Sequence, residues 1–169
     1  MTDLSAFVAT PADVDAVHAL LAAAGERLSK RGYPNWLPAY PRARVAENVD
    51  DGIVWGVRSA GELVATYTLR PLATHPYRNI DWHDPDARAR YLNRLAVDPK
   101  HQGRGIGRWC LEQVELECRR DGATAVRCDV LQANVPLRRF YERHGYEARG
   151  ERFHSGWHFT VYERVLVVS

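Results

Sequence analysis

The chain has 169 residues, of which 46% are hydrophobic and 26% are charged, a composition typical of one globular domain. Its longest apolar stretch, around residues 16–24, is broken by His18 and is too short for a membrane span. The 23 basic and 21 acidic residues leave a net charge of only +2, too even for a general nucleic-acid binder. The sequence therefore predicts a single domain over residues 1–169 that binds neither membrane nor nucleic acid.

The N-terminal segment and the cysteines bear on cell compartment and on metal binding. Asp3 stands where a secretory signal would carry basic residues, and no long apolar core follows it. We therefore expect a cytoplasmic protein. Cys110, Cys118 and Cys128 are odd in number and lack C-x-x-C spacing, which predicts neither a disulfide framework nor a zinc site. We expect them to be small core residues.

The first half of the chain predicts a strand, two helices and a hairpin. The strand covers 4–9, Thr10 and Pro11 begin the first helix, 42–50 form the second, and the hairpin pairs 53–57 with 63–69. Either Gly25 or Gly32 is expected to end the first helix. Residues 71–88 contain three prolines and no periodicity, so they predict a long connection of the kind that is usually functional or disordered.

The second half alternates strands with helices. The predicted elements are a strand at 91–97, an amphipathic helix at 105–120, a strand at 125–130, a helix capped by Asn134 and closed by Gly145, and strands at about 146–153 and 157–167. The helix at 105–120 carries an apolar stripe made of Gly107, Cys110, Leu111, Val114 and Cys118. The predicted fold class is α/β, an α+β mixed sheet of order βααβββαβαββ that is mostly antiparallel and flanked by helices.

A glycine-rich loop joins the strand at 91–97 to the following helix. It reads DPKHQGRGIGR, so Gly103, Gly105 and Gly107 present bare backbone N–H groups at the positive end of a helix dipole. Nearby cations are supplied by Lys100, Arg104, Arg108 and Arg94. A P-loop would end in GK[ST], and a Rossmann fingerprint would lie near the first strand, and neither pattern fits. The loop predicts a polyphosphate ligand.

Two motifs in this half resemble those of the GNAT N-acetyltransferase superfamily. The acyl-CoA signature of that family, R/Q-x-x-G-x-G/A after a strand ending in a V-x-P step, is matched by Val97-Asp98-Pro99 followed by residues 102–107. The family's N...YE..GF element is matched by Asn134 and residues 141–146. The specific match covers residues 91–146, and the element order extends it over nearly the whole chain.

The resemblance implies a GNAT-like domain that moves an acetyl group from acetyl-CoA to a primary amine of a small molecule or peptide by direct attack. Acetyl-CoA would be the co-substrate, no metal would be needed, the partners would be acetyl-CoA and an amine acceptor, and a homodimer is left open. The main chain of 95–97 would pair with the pantetheine arm, and 103–108 would hold the pyrophosphate. The implied cofactor-binding residues are Leu95, Ala96, Val97, Gln102, Gly103, Arg104, Gly105, Ile106, Gly107, Arg108, Asn134 and Tyr141.

The same matching assigns catalytic roles. Tyr141 would donate its phenolic proton to the departing sulfur, and the alternative for this residue is core packing. For Asn134 the alternative to a cofactor contact is simple helix capping. Many relatives carry a glutamate on the strand before the loop, whereas residues 91–94 read Tyr-Leu-Asn-Arg. Asp129 is the best remaining candidate for the general base, and a purely structural carboxylate is the alternative. Other proton acceptors left open are a water chain, His75, His83, Asp81 and Asp84.

The acceptor site is expected in the two segments that match the family least. Residues 33–40 and 74–84 hold five tyrosines or tryptophans, a density typical of a pocket lining. The candidate substrate-binding residues are Trp36, Tyr40, Trp82 and His83. The alternative is that these aromatic residues only anchor the loops to the body. A non-catalytic acyl-CoA-binding sensor or interaction module is the rival function.

Overall fold

The computed structural model describes residues 3–167 and contains seven strands and four helices in the predicted order. The strands are β1 (Leu4–Val8), β2 (Val54–Ser59), β3 (Glu62–Arg70), β4 (Ala89–Val97), β5 (Ala125–Leu131), β6 (Glu147–His154) and β7 (Trp157–Val165). The helices are α1 (Val14–Lys30), α2 (Arg42–Asp50), α3 (Ile106–Arg120) and α4 (Val135–Arg143). Single helical turns lie at Pro11–Asp13, Pro34–Trp36 and Pro99–His101.

The seven strands follow one another in the sheet in the order β1-β2-β3-β4-β5-β7-β6. β4 and β5 run parallel, with Ala89 opposite Ala125. The pairs β1–β2, β2–β3, β5–β7 and β6–β7 are antiparallel. The predicted mixed and mostly antiparallel sheet is therefore confirmed. β4 begins at Ala89, two residues before the predicted start.

By their contacts the described residues form two compact units. The first contains the chain up to Leu69 together with Arg94–Gln113, and the second contains Arg70–Asn93 and the chain from Val114 onward. None of the helices within residues 3–167 combines the length and apolar character that a bilayer crossing requires.

The first unit has its core between α1, α2 and the neighbouring strands. Its buried members include Val14, Val17, Leu20, Leu21, Ala24, Val45, Val49 and Val54. α1 ends at Lys30, and Gly32 follows it with φ +93°. The expectation that Gly25 could end this helix is wrong. Gly25 lies inside α1, where a Cβ atom would come within 3.3 Å of the Trp36 Cβ atom, so its small size allows a close approach.

The second unit is built on the antiparallel pair β5–β7. Alternate residues of a strand point to opposite faces, so Arg127 and Asp129 share one face, and Val126 and Cys128 share the other. On the first face, Arg127 lies opposite Glu163 of β7. On the other face α3 and α4 are attached to β7 by two side-chain contacts, Arg164 to Glu115 and Tyr162 to Glu142. The connection at residues 71–88 packs against the face that carries Arg127 and Asp129.

The three cysteines are buried and free, as expected of core residues. Burial raises the pKa of the Cys110 and Cys118 thiols to about 12, and it also raises that of Cys128. Because the thiolate is the reactive form, these side chains act as small apolar groups at neutral pH.

Candidate cofactor loop and catalytic cluster

Short-range hydrogen bonds shape the loop that follows β4 in the first unit. The Asp98 carboxylate accepts from the Lys100 N–H at 2.9 Å, and the Asp98 carbonyl accepts from the His101 N–H at 2.8 Å. The Gln102 side-chain amide donates to the Val97 carbonyl at 3.1 Å. These three bonds join residues two to five apart. A longer-range bond from the Asp98 N–H to the Val64 carbonyl, at 2.8 Å, holds the start of the turn.

The glycines of this loop are set by backbone conformation. Gly103 and Gly105 have φ +79° and +80°, values that favour glycine. A Cβ atom at either position would meet nothing within 4 Å, so no neighbouring atom crowds these residues. The surface of the loop is therefore open to a bulky ligand.

The loop leads directly into α3. The N–H groups of residues 106–108 form the first turn of that helix and have no intrahelical acceptor. Arg104 and Lys100, in the loop that precedes this turn, are exposed, and the Arg108 guanidinium pairs with Glu112 at 3.1 Å. Free N–H groups, a helix dipole and nearby cations together make a site suited to an anion such as a pyrophosphate. The Ile106 side chain is buried, which leaves this residue only its main chain for a ligand.

Arg94 lies in β4 just before the predicted cofactor strand 95–97. Its φ is +50°, a left-handed conformation that costs about 1–3 kcal/mol outside glycine and interrupts regular strand geometry. Its guanidinium lies 3.6 Å above the Tyr40 ring and donates to the Tyr40 hydroxyl at 2.7 Å. Within 95–97, Leu95 and Val97 are half-buried and Ala96 is buried.

The two candidate acceptor residues of the first unit, Trp36 and Tyr40, are half-buried and pack against the core of that unit. Tyr40 is also covered by Arg94. Both residues therefore attach the segment 33–40 to the core of the first unit. Their assignment to the acceptor stays a prediction.

Asp129, the candidate base, lies in the second unit within a cluster of polar side chains. Its Oδ2 atom accepts from the Tyr77 hydroxyl at 3.2 Å and lies 3.3 Å from Nη1 of Arg152. Burial raises the pKa of Asp129 above its ordinary value, and Arg152 and the Tyr77 hydrogen bond oppose that rise. Burial and the neighbouring Arg152 lower the pKa of His154. Asp129 is accordingly a stronger base than an exposed aspartate.

The sequence reasoning did not identify Tyr77 and Arg152 as partners of Asp129. A signal was present in β5, where two charged residues, Arg127 and Asp129, alternate with apolar ones. That alternation indicates that one face of β5 is polar and needs polar groups of another segment as hydrogen-bonding partners. It does not say which distant residues cover it.

Trp82 and His83, the other candidate acceptor residues, are held by the sheet of the second unit. The Trp82 ring lies 4.0 Å below the Arg127 guanidinium and meets Tyr77 edge to face at 5.6 Å. The His83 N–H donates to Glu163 at 2.9 Å, while the residue itself is exposed. Trp82 is an anchor in this arrangement, and the His83 side chain is left available to solvent.

Asn134 and Tyr141 lie at the two ends of α4. The Asn134 side chain accepts from the Leu137 N–H at 3.2 Å, which confirms the predicted cap. Tyr141 is 6% exposed. Its ring meets Tyr146 edge to face at 5.2 Å and stacks on Tyr162 at 6.3 Å. Capping and aromatic packing are both observed, and the roles of these residues toward a cofactor stay predictions.

One group of side chains among the described residues has the composition of a metal site. Ligand atoms of Glu62, Asp98 and His101 lie within 4.8 Å of one another. The His101 ring nitrogens are 3.7 Å from Glu62 and 3.9 Å from Asp98, and Asp98 already accepts from the Lys100 N–H. Contacts between these side chains account for the group, and we assign no metal to it.

Comparison with known proteins places these features in context. Residues 19–146 match the model of the acetyltransferase (GNAT) family. The chain is 30% identical over 158 residues to YesJ, an uncharacterized N-acetyltransferase of Bacillus subtilis (strain 168), with 90% of this chain and 87% of that protein covered.

Solved structures with a similar fold include a GNAT-family acetyltransferase from Listeria monocytogenes 4b F2365, with TM-score 0.80, 19% identity, and 96% of this chain and 95% of that one covered. The PaiA N-acetyltransferase of Thermoplasma acidophilum, solved in complex with coenzyme A, has TM-score 0.74 and 14% identity, with 96% and 99% covered. At such identities the likeness concerns the fold alone.

Proposed function

The chain belongs to the acetyltransferase (GNAT) family, and from that premise we propose that it transfers the acetyl group of acetyl-CoA to a primary amine of a small molecule or peptide. The observation that carries this proposal is the open loop at Gly103 and Gly105, which leads into the first turn of α3. A loop of this kind binds a phosphate through backbone N–H groups. Because the chain belongs to an acetyltransferase family, we propose that this phosphate is the pyrophosphate of coenzyme A.

The cofactor-binding residues follow from this assignment. We propose that residues 103–108 hold the pyrophosphate through main-chain N–H groups, with Arg104 adding charge. The main chain of 95–97 would pair with the pantetheine arm as an added strand does. Asn134 would contact the same arm, and Gln102 would act through its bond to the Val97 carbonyl, which fixes the start of the loop.

The chemistry requires a neutral amine. Acetyl-CoA supplies the acetyl group as an activated thioester. An alkylamine with a pKa near 10.4 is almost wholly protonated at neutral pH, so a base must remove a proton before its nitrogen attacks the acetyl carbon. We assign that role to Asp129, because burial raises the pKa of its carboxyl group and improves it as a proton acceptor.

Two further groups act as the carbon–sulfur bond breaks. A main-chain N–H within 95–97 would stabilise the negative charge that develops on the acetyl oxygen. Tyr141 would donate its phenolic proton to the departing thiolate. Counted from the protonated amine, the nitrogen loses two protons, one to Asp129 before attack and one as the amide forms. The sulfur gains one from Tyr141, which is then reprotonated, and one proton is released to solvent, so the reaction needs no oxidant.

A ligand panel followed by an acceptor screen tests the proposal. Acetyl-CoA and CoA should raise the melting temperature by several degrees, because a ligand at a hundredfold its Kd stabilises the fold by about 2.7 kcal/mol. NADH and ATP should not. A screen of primary amines, with release of free thiol as the readout, should then identify an acceptor. Equal stabilisation by NADH, or none by acetyl-CoA, would overturn the cofactor assignment.

A non-catalytic acyl-CoA-binding module is the second candidate. It is favoured by one observation, the lack of any carboxylate at residues 91–94 of β4, where many relatives carry their base. Stabilisation by acetyl-CoA without thiol release for any amine in the screen would favour this candidate over the enzyme.

A further inference from the structure

The second unit contains a buried ion pair that the proposed chemistry does not use. Arg127 of β5 and Glu163 of β7 are direct partners in the antiparallel register. Nε of Arg127 lies 2.9 Å from Oε2 of Glu163, and the two side chains are 4% and 0% exposed. Charged groups as deeply buried as these require several hydrogen-bonding partners.

Two of those partners belong to strands: Arg149 of β6 lies 3.2 Å from Glu163, and the Tyr91 hydroxyl of β4 accepts from Arg127 at 3.3 Å. The others come from the connection at residues 71–88. The other oxygen of Glu163 accepts from the His83 N–H at 2.9 Å. Arg127 donates to the Asp84 carbonyl at 2.8 Å, and its guanidinium covers the Trp82 ring at 4.0 Å. Three consecutive residues of a segment with no helix or strand of its own are therefore held by one buried pair, two of them through their main chain.

The stability of the sheet does not explain why Arg127 and Glu163, rather than two apolar residues, occupy these buried positions. β5 and β7 are already paired along residues 125–131 by their backbones. Removing two charges from water is costly, and an apolar pair of similar volume is often equally stable or more stable. What the charged pair provides, and an apolar pair cannot, is a donor and an acceptor for the main chain of 83 and 84.

We infer that Arg127 and Glu163 are positioning residues that fix the main chain of 82–84 and thereby determine which amines the enzyme accepts, an inference that rests on the proposed acetyltransferase function. The effect reaches the proposed base through two contacts. Trp82 packs edge to face on Tyr77, and the Tyr77 hydroxyl donates to Asp129. A segment held in one conformation before binding loses less entropy when an acceptor binds.

The test replaces both buried charges at once, in the double variant Arg127→Met/Glu163→Leu, so that neither is left without the other. Arg149, which lies 3.2 Å from Glu163, keeps a second carboxylate partner in Glu147 at 3.4 Å. We expect kcat/KM for the preferred amine to fall 10- to 100-fold, mainly through KM. The preference for that amine over the second-best one should shrink, while the Kd of acetyl-CoA stays within twofold. A general loss of folding would not separate KM from kcat in this way.

The matched control is Arg164→Met/Glu115→Leu. Arg164 is the next residue along β7, and its pair with Glu115 lies on the face of the sheet opposite to Arg127 and Glu163. This variant should keep both KM and acceptor preference. Equal effects of the two double variants would overturn the inference, as would an unchanged kcat/KM and preference in Arg127→Met/Glu163→Leu.

Hydrogen exchange of the wild-type protein gives a second measurement that does not depend on the variants folding. The His83 amide should exchange at least 100-fold more slowly than in an unstructured peptide, and a rate within tenfold of the unstructured one would overturn the inference. A wild-type protein that acetylates no amine overturns the proposed function together with the inference. An active wild type whose double variant keeps its acceptor preference overturns the inference alone.

Discussion

The two units offer a ligand different kinds of chemistry. In the first unit, the loop at residues 98–105 presents backbone N–H groups and exposed cations, and its glycines leave the surface open. In the second unit, Asp129 and Tyr141 are side chains packed among other side chains, and burial raises the pKa of Asp129. Binding by a main chain requires little more than shape, whereas a proton transfer requires a particular atom in a particular environment.

This difference predicts how substitutions divide between the units. A change in the loop at 98–105 should alter the affinity for coenzyme A and leave the rate of the bound complex nearly intact. A change at Asp129 or Tyr141 should alter turnover and leave that affinity nearly intact. Each variant below therefore needs two measurements, a Kd for acetyl-CoA and a kcat for transfer.

Tyr141→Phe should give the largest effect. It removes only the phenolic O–H that we assign to the departing sulfur, and general acid help is worth about 10²- to 10⁴-fold. We expect kcat to fall by a factor in that range when acyl transfer limits turnover, with the Kd of acetyl-CoA unchanged.

Tyr146→Phe is the matched control for Tyr141→Phe. Tyr146 is also buried, its ring contacts Tyr141, and its hydroxyl finds no hydrogen-bond partner among the described residues. Its removal should leave kcat unchanged and stability equal or higher. Full kcat in Tyr141→Phe, with acyl transfer shown to limit the rate, would remove the acid assignment.

Asp129→Asn should give the next largest effect, about 10²-fold on kcat/KM at neutral pH. Asparagine keeps the shape and still accepts from the Tyr77 hydroxyl, but it cannot take a proton. The deficit should shrink as the pH rises, because more of the amine is then already neutral. Asp121→Asn, which breaks the contact of Asp121 with Arg90, serves as the control and should keep the wild-type profile. An unaltered pH profile in Asp129→Asn would transfer the base role to water or to the histidines of 71–88.

The fold and the loop could be predicted because their determinants lie close together in the chain. The Asn134 cap involves residues three apart, and three of the hydrogen bonds that shape the loop after β4 join residues two to five apart. Gly32 ends α1 for a reason that is equally local, its positive φ. Patterns of this length can be recognised in a sequence without knowledge of the tertiary structure.

The surroundings of the candidate base could not be predicted in the same way. Tyr77 and Asp129 are 52 residues apart, and His83 and Glu163 are 80 apart. Nothing in local spacing pairs such residues, since their contact depends on how the connection crosses the sheet. The alternation of Arg127 and Asp129 with apolar residues in β5 indicates a polar face. The residues that contact Arg127 and Asp129 on that face are known only from the structure.

Gly105→Ala should weaken acetyl-CoA binding by about tenfold, with kcat at saturation nearly unchanged. The added methyl group would stand on the open surface where the phosphate approaches backbone N–H groups, and an L residue at φ +80° is strained by about 1 kcal/mol. Gly122→Ala is the matched control, because Gly122 has φ +75° and follows the opposite end of α3. Both variants should lose similar stability, but only Gly105→Ala should lose affinity. Equal affinities would show that the loop glycines serve the fold alone.

The smallest effect is a pH-dependent difference in stability between the wild type and Asp129→Asn. Burial raises the pKa of Asp129 in the folded state above the value of about 3.9 expected in the unfolded chain. The folded protein therefore holds this proton more tightly, so the stabilisation is fully present below about pH 4 and is lost as the pH rises through the folded pKa. Asparagine carries no such penalty. The melting temperature of Asp129→Asn minus that of the wild type should thus increase from pH 4 to pH 7.

Asp15→Asn should show the opposite trend, because Arg42 lowers the pKa of Asp15. A difference for Asp129→Asn that stays flat or falls over this range would show that Arg152 and Tyr77 outweigh burial, and Asp129 would then be no better a base than an exposed aspartate.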